Sequence, residues 1–241
     1  MKPGDITNPP SIKTAVVLAG GEGLRLRPLT SDKPKVMISV AGKPILDWIL
    51  QWLVGNRISR IVVGVAYKKD VVTQYVRRLN LPARVEFSEH TVEGGTGEGF
   101  RLAIERFVQD DTFLAMNGDE ITDINISEFA DFHIRSGSLA TIAVANLRSP
   151  FGVVKVSNDK IVEFREKAVL ESWVSTGIYT FNHRILEYLP VRGNIEDETF
   201  PKLAGLGKLG AFRHSGFWGT LNTLKDLHEL EKELTRGILS T

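Results

Sequence analysis

The sequence predicts an α/β fold: a mostly parallel mixed sheet flanked by helices, in one domain. Three observations carry this. Short apolar runs rich in β-branched residues alternate with amphipathic helical stretches through the first half of the chain. Each apolar run ends in glycine or a polar turn. Such alternation implies right-handed crossovers between parallel strands, with helices covering both faces of the sheet.

Residues 1–13, with their prolines, glycine and polar side chains, read as a flexible tail. Ala15 to Ala19 is a buried strand stopped by Gly20-Gly21. Pro44 suits a helix start, and Ile45, Trp48, Ile49, Trp52 and Leu53 recur at helical spacing before Gly55-Asn56. Ile61 to Val65 is a second buried strand. Asp70 to Leu79 carries Val72, Tyr75, Val76 and Leu79 on one side of a helix. Val85 to Phe87 is a short strand, followed by a glycine-dense loop over Gly94–Gly99 and a helix bearing Phe100, Ile104 and Phe107. Thr112 to Met116 is a strand running into Asn117-Gly118-Asp119-Glu120. Ser127 is the expected N-cap of a helix with Phe129 and Phe132, and Leu139 to Ala145 is a strand.

The rhythm then changes. Val153–Val156 and Ile161–Phe164 flank a turn and read as a hairpin, and Val174–Phe181 is a further strand. Helices are expected over Arg184–Leu189, Glu196–Leu203 and Leu224–Leu234. No internal repeat or linker divides the chain, so residues 14–241 are expected to form one domain.

Composition narrows the function. The chain has 241 residues, 30 Lys+Arg against 29 Asp+Glu, and a net charge of +1. That balance argues against a nucleic-acid binder relying on surplus positive charge. Having no Cys removes disulfides, thiolate-ligated metals and thiol nucleophiles, and five scattered His do not suggest a histidine-rich metal centre. No apolar run is long enough to span a bilayer, and the N-terminus lacks a signal peptide's apolar stretch. A cytoplasmic protein is expected.

Three runs could carry chemistry. The first is Leu18-Ala19-Gly20-Gly21-Glu22-Gly23-Leu24-Arg25-Leu26-Arg27-Pro28. A glycine-rich turn after the first strand places bare N–H groups at the sheet's carboxyl edge, where α/β folds bind ligands. The spacing matches neither a P-loop nor a dinucleotide fingerprint. Arg25, Arg27, Lys33 and Lys35 instead crowd positive charge beside the loop, as a polyphosphate site requires. The second run is Asn117-Gly118-Asp119-Glu120. A carboxylate at a strand's carboxyl end suits Mg²⁺, which takes one or two protein carboxylates and substrate phosphates; an Asp that merely shapes a turn reads equally well. The third, Phe164-Arg165-Glu166-Lys167, is by itself an ordinary surface ion pair.

Together and in order, these runs resemble the sugar-1-phosphate nucleotidyltransferases. The resemblance rests on Leu18 to Thr30, Lys33-Pro34-Lys35, Gly42-Lys43-Pro44-Ile45, Gly95-Thr96-Gly97, Asn117-Gly118-Asp119, Phe151 to Val154, Phe164 to Lys167, Thr176 to Tyr179, Ile195 to Leu203 and Gly216-Phe217-Trp218. It covers roughly residues 14 to 235. It implies a GT-A-like, Rossmann-type domain that joins a nucleoside triphosphate to a sugar 1-phosphate and releases pyrophosphate. It also implies roles: Leu18, Ala19, Gly20, Gly95 and Thr96 at the nucleobase, and Gly21 and Gly23 at the triphosphate. Arg25, Lys35 and Asp119 would be catalytic, and Gly152, Glu166 and Lys167 would hold the sugar phosphate. Asp119 and Asn222 would face Mg²⁺.

A homo-oligomer is allowed, while the balanced charge and short apolar runs lead to no expected nucleic-acid or membrane partner. The chain ends soon after the core, so no C-terminal β-helix domain is expected. Four residues depart from the family's pattern: Leu24, Ala168, Ser175 and Asn222. Asn222 stands where a second acidic metal ligand is common, and Asn222 or Thr223 also reads as a helix cap, since Thr223-x-x-Asp226 resembles a capping box. That substitution leaves an alternative, a regulatory relative that binds nucleotide sugar without making it. The His90-Thr91-Val92-Glu93 loop is atypical, and the choice of base is not legible in it.

Overall fold

A computed structural model describes residues 12–149 and 151–238. The strands are β1 (Thr14–Leu18), β2 (Ser39–Val40), β3 (Lys43–Pro44), β4 (Arg60–Val65), β5 (Arg84–Glu89), β6 (Thr112–Asn117), β7 (Glu120–Thr122), β8 (Ala140–Arg148), β9 (Val153–Ser157), β10 (Lys160–Arg165), β11 (Val169–Asn182), β12 (Leu209–Arg213) and β13 (Trp218–Thr220). The helices are α1 (Ile45–Gly55), α2 (Lys69–Arg78), α3 (Gly95–Phe107), α4 (Ile126–Ser136), α5 (Thr199–Gly205) and α6 (Leu224–Thr235).

Seven strands form the central sheet in the order β12-β8-β11-β6-β1-β4-β5. Only β11 runs against the others, pairing antiparallel with both β6 and β8. The mostly parallel mixed sheet expected from the sequence is therefore present. Its second half adds strands to the first half's sheet.

Period-two alternation divides the apolar runs between two cores. Ala15, Val17, Ile61, Val63, Leu114 and Met116 face one core, with α1, α2, α4 and α6. Val16, Leu18, Val62, Phe113 and Ala115 face the other, with α3 and α5. A strand buried on both faces has no polar side to show, which is why these runs read as continuously apolar. In the second core, Phe100 meets Tyr179 and Phe181 edge-on at centroid separations of 6.1 and 5.7 Å.

Several boundaries moved. The tail expectation falls mostly on residues 1–11, outside the described residues, but Ile12 is buried in the first core. Asn125, not Ser127, caps α4: its Oδ1 accepts from the N–H groups of Ser127 and Glu128 at 3.0 and 3.2 Å. The Gly94–Gly99 segment is mostly helix, because α3 begins at Gly95. The helix expected at Arg184–Leu189 is a 3₁₀ turn over His183–Tyr188, and the one at Glu196–Leu203 starts at Thr199. The small β7–β13 pair was not foreseen: three-residue strands leave too little pattern to read.

The connection from β8 back to β11 leaves and rejoins the sheet at its carboxyl edge, carrying the two-stranded ribbon β9–β10. Cross-strand pairs Val154/Phe164 and Val156/Ile161 put apolar side chains on one ribbon face, and Lys155/Glu163 lies on the other. The four apolar residues are 42 to 62% exposed.

Candidate active site

The carboxyl edge of β1 builds the site. After Leu18 the chain turns through Gly20-Gly21, and Gly118 N donates to Leu18 O at 2.8 Å, drawing the ends of β1 and β6 together. A Cβ on Gly118 would lie 2.5 Å from that carbonyl oxygen, so no other residue allows this approach. Lys35 opens a 3₁₀ turn after Pro34, and its backbone N–H donates to Gly21 O at 3.2 Å. Gly23 sits at φ +65 with its carbonyl held by the Thr30 hydroxyl at 2.9 Å.

These elements surround a cavity of about 230 Å³ lined by Leu18, Gly20, Gly21, Lys35, Val36, His90, Val92, Gly95, Thr96, Asn117 and Asp119. Seven of the residues singled out from sequence thus converge from four separate segments. Gly95 and Thr96 enter from the start of α3. That turn packs on residues 193–196: Gly97 N donates to Gly193 O at 2.9 Å, and the Thr96 hydroxyl donates to Glu196 Oε2 at 2.7 Å. A Cβ on Gly95 would meet Gly193 O at 2.6 Å. Tyr179, deep in the core, donates to the other Glu196 oxygen at 3.2 Å, and burial with the Glu196 charge pushes its phenol well above the ordinary range. His90 closes the far wall, its ring so near Gly20 that a Cβ there would lie 2.7 Å away.

At the cavity's polar end, Lys35 Nζ donates to Asp119 Oδ2 and, at 2.8 Å, to Asn222 Oδ1. Asn222 does not cap the last helix. Thr223 does, in a full capping box with Asp226, as its spacing suggested. Two side-chain oxygens from distant segments therefore converge on one cationic centre. One carboxylate and one amide oxygen fit Mg²⁺, which keeps most of its coordination for water and phosphate.

Behind this pair lies Glu120, buried on β7. Burial and the neighbouring Asp119 charge push its carboxyl well above the usual carboxylate range, against bonds from Trp218 and Thr220 that favour the charged form. Glu120 stands in the Asn117-Gly118-Asp119-Glu120 run, but the sequence assigns it no role, because its apolar environment forms only when the sheet closes over it.

Other expected residues lie outside the cavity lining. Arg25 is exposed on the turn Leu24–Leu26 beside the loop. Ala19 is buried and donates its N–H to Gly64 O at 2.7 Å. Gly152 lies under the Phe164 ring, and Glu166 and Lys167 are exposed at the end of β10. The ribbon brings these three to the same edge of the sheet as the cavity without lining it. His90, Val92, Val36 and Asn117 line it without having been assigned roles. Spacing alone could have drawn attention to His90 and Val92, which precede Gly95-Thr96 closely.

A glycine loop beside a lysine–carboxylate pair at the carboxyl edge of the sheet suits a phosphorylated ligand. The chain belongs to the nucleotidyl transferase family, whose model matches residues 14–237, and its relatives carry the names of sugar-1-phosphate nucleotidyltransferases. It is 29% identical over 246 residues to a probable glucose-1-phosphate cytidylyltransferase of Bacillus subtilis, covering 92% of this chain and 96% of that protein. It is 33% identical over 221 residues to a mannose-1-phosphate guanyltransferase of Yarrowia lipolytica, covering 88% of this chain but 61% of that longer protein. Among solved structures it superposes on HddC from Yersinia pseudotuberculosis with a TM-score of 0.75 at 22% identity, over 92% of this chain and all of that one. A putative glucose-1-phosphate thymidylyltransferase from Bacillus anthracis gives 0.73 at 23%, over 93% and 95%. No described helix is long and apolar enough to cross a membrane.

Proposed function

We propose that the donor is CTP or GTP and the acceptor a hexose 1-phosphate, joined within one domain. The names of the two relatives above support this choice, and the convergence of Lys35, Asp119 and Asn222 beside the glycine loop carries the mechanism. An oxygen of the sugar phosphate attacks the α-phosphorus in line. A P–O bond forms there as the bridging bond to the β-phosphate breaks, and pyrophosphate leaves. The nucleophile needs no activating base, since a phosphate monoester's second pKa is about 6.

The protein's task is positioning and charge stabilisation. Leu18, Ala19, Gly20, Gly95 and Thr96 hold the base, and the amides of Gly21 and Gly23 receive triphosphate oxygens. Arg25 takes the leaving pyrophosphate, and Lys35 neutralises charge growing at the reacting phosphorus. Gly152, Glu166 and Lys167 receive the sugar phosphate from the ribbon. Asp119 and Asn222 would hold Mg²⁺, which supplies further charge neutralisation when bound. The test is pyrophosphate release with Mg²⁺ across a grid of nucleoside triphosphates and sugar 1-phosphates. Signal is expected with CTP or GTP and glucose or mannose 1-phosphate; turnover confined to other nucleotides would overturn the choice of donor.

We also propose a homo-oligomer in which the apolar faces of two ribbons pack together. Val154, Val156, Ile161 and Phe164, with exposed Phe151, Val162 and Val169 nearby, leave on the order of 800 Å² open, about one partner's share of a standard interface. The ribbon carries Lys155, Lys160 and Arg165 against Asp159 and Glu163, so mixed charges can pair across a two-fold axis. Sedimentation should show wild-type dimers or larger, and Val156→Lys with Ile161→Lys should give folded monomers. A monomeric wild type at micromolar concentration would sink this idea.

A further inference from the structure

We infer that Glu120, acting through Thr220, orients the Asn222 side chain so that its oxygen faces the cation position. This rests on the reading of Asp119 and Asn222 as Mg²⁺ ligands. A single hydrogen-bond chain links Lys35, Asn222, Thr220, Glu120 and Trp218. Lys35 Nζ donates to Asn222 Oδ1 at 2.8 Å, and Asn222 Nδ2 donates to Thr220 Oγ1 at 2.8 Å. The Thr220 hydroxyl donates to Glu120 Oε1 at 3.1 Å, and Trp218 Nε1 donates to Glu120 Oε2 at 2.8 Å. The antiparallel β7–β13 pair sets this up: Thr220 lies directly opposite Glu120, and Trp218 precedes Thr220 by two residues on the same strand.

The direction of the chain follows from counting protons. A threonine hydroxyl has one hydrogen. In the structure the Thr220 hydroxyl gives it to Glu120 Oε1, so the Thr220 oxygen accepts from Asn222 Nδ2 and the Asn222 amide presents its NH₂ group to Thr220. Its carbonyl oxygen then points toward Lys35. A flipped amide would set NH₂ against the lysine ammonium, donor to donor.

The same count explains why position 222 is neutral. A carboxylate at 222 would compete with Glu120 for the one Thr220 proton. It would also gather three acidic groups, Asp119, Glu120 and residue 222, around Lys35. With Glu120 in place, asparagine is the residue that both completes the chain and offers an oxygen. Asn222 is thus a fitted ligand whose orienting carboxylate stands behind it.

Binding of Mn²⁺, followed by loss of the free-ion EPR signal, tests this directly and without turnover. Outer partners of metal ligands are worth roughly 10–100-fold in affinity. Thr220→Val removes the hydroxyl at nearly constant volume and should weaken Mn²⁺ binding about tenfold. Thr220→Ser keeps the hydroxyl and should bind as wild type does. Glu120→Gln should weaken binding as Thr220→Val does, and adding Asn222→Asp should restore it by moving the carboxylate forward. Thr220→Val binding Mn²⁺ like wild type, or Thr220→Ser failing equally, would overturn the inference while leaving the metal site standing. A folded wild type that takes up no Mn²⁺ at millimolar concentration would overturn the metal reading and this inference together. The threonine pair keeps the test open even if the buried Glu120 variants do not fold.

Discussion

Lys35→Met will lower kcat by two to three powers of ten and leave the protein folded. Among the described residues Lys35 is the one lysine lining the cavity, and it meets Asp119 and Asn222 beside the glycine loop. A donor lost from a comparable charge-stabilising site costs roughly 2.7–4 kcal/mol. The alkyl stem of methionine preserves the packing against Gly23, whose Cβ position lies within 3.2 Å of Lys35 carbons. Asp119 then loses its partner but stays at the cavity wall, where water can solvate it. The comparison is pyrophosphate release against the melting temperature. Activity within tenfold of wild type would remove Lys35 from the chemistry, and loss of soluble protein would make its role structural.

Phe100→Ala will produce the largest loss of stability, about 3–5 kcal/mol. Phe100 is fully buried and meets two aromatic rings edge-on in the second core. Truncation leaves a cavity that Tyr179 and Phe181, themselves stacked at 5.4 Å, cannot fill without breaking their own contact. For a chain of this length the melting temperature should fall by roughly 10 °C. The consequence reaches the site, because Phe100 anchors the helix whose first turn supplies Gly95 and Thr96. Apparent affinity for nucleotide should therefore weaken more than kcat. Calorimetry with and without nucleotide separates the two effects. A shift under 3 °C would show that the second core repacks freely.

Much of this was legible in the sequence, for identifiable reasons. The apolar runs at Ala15, Ile61 and Thr112 are short, continuously apolar and bounded by glycine or polar turns, as strands buried on both faces are, so the sheet could be read directly. Gly20, Gly21 and Gly23 beside Arg25 and Lys35 are adjacent in the chain, so local spacing was enough to suggest a polyphosphate loop. The place of Asp119 after a strand made it a candidate, on equal terms with an Asp that shapes a turn, until the fold set it beside Lys35. Thr223 and Asp226 lie three residues apart, and their capping box needed no tertiary information.

Other features depended on contacts between distant residues. Whether Asn222 caps a helix or faces Lys35 depends on a contact 187 residues long, which no local pattern encodes. The seating of Thr96 on Glu196 spans 100 residues, and so does the bond from Thr220 to Glu120. Glu120 illustrates the division most clearly. In sequence it is one more acidic residue beside Asp119. Folding buries it opposite Thr220, removes the water that would solvate its charge, and makes its hydrogen bonds determine how a neighbouring amide must point. Sequence by itself determined the glycine loop and the cations beside it, because local spacing positions a loop; only tertiary structure decided how those groups are aimed, because orientation depends on partners brought from elsewhere in the chain.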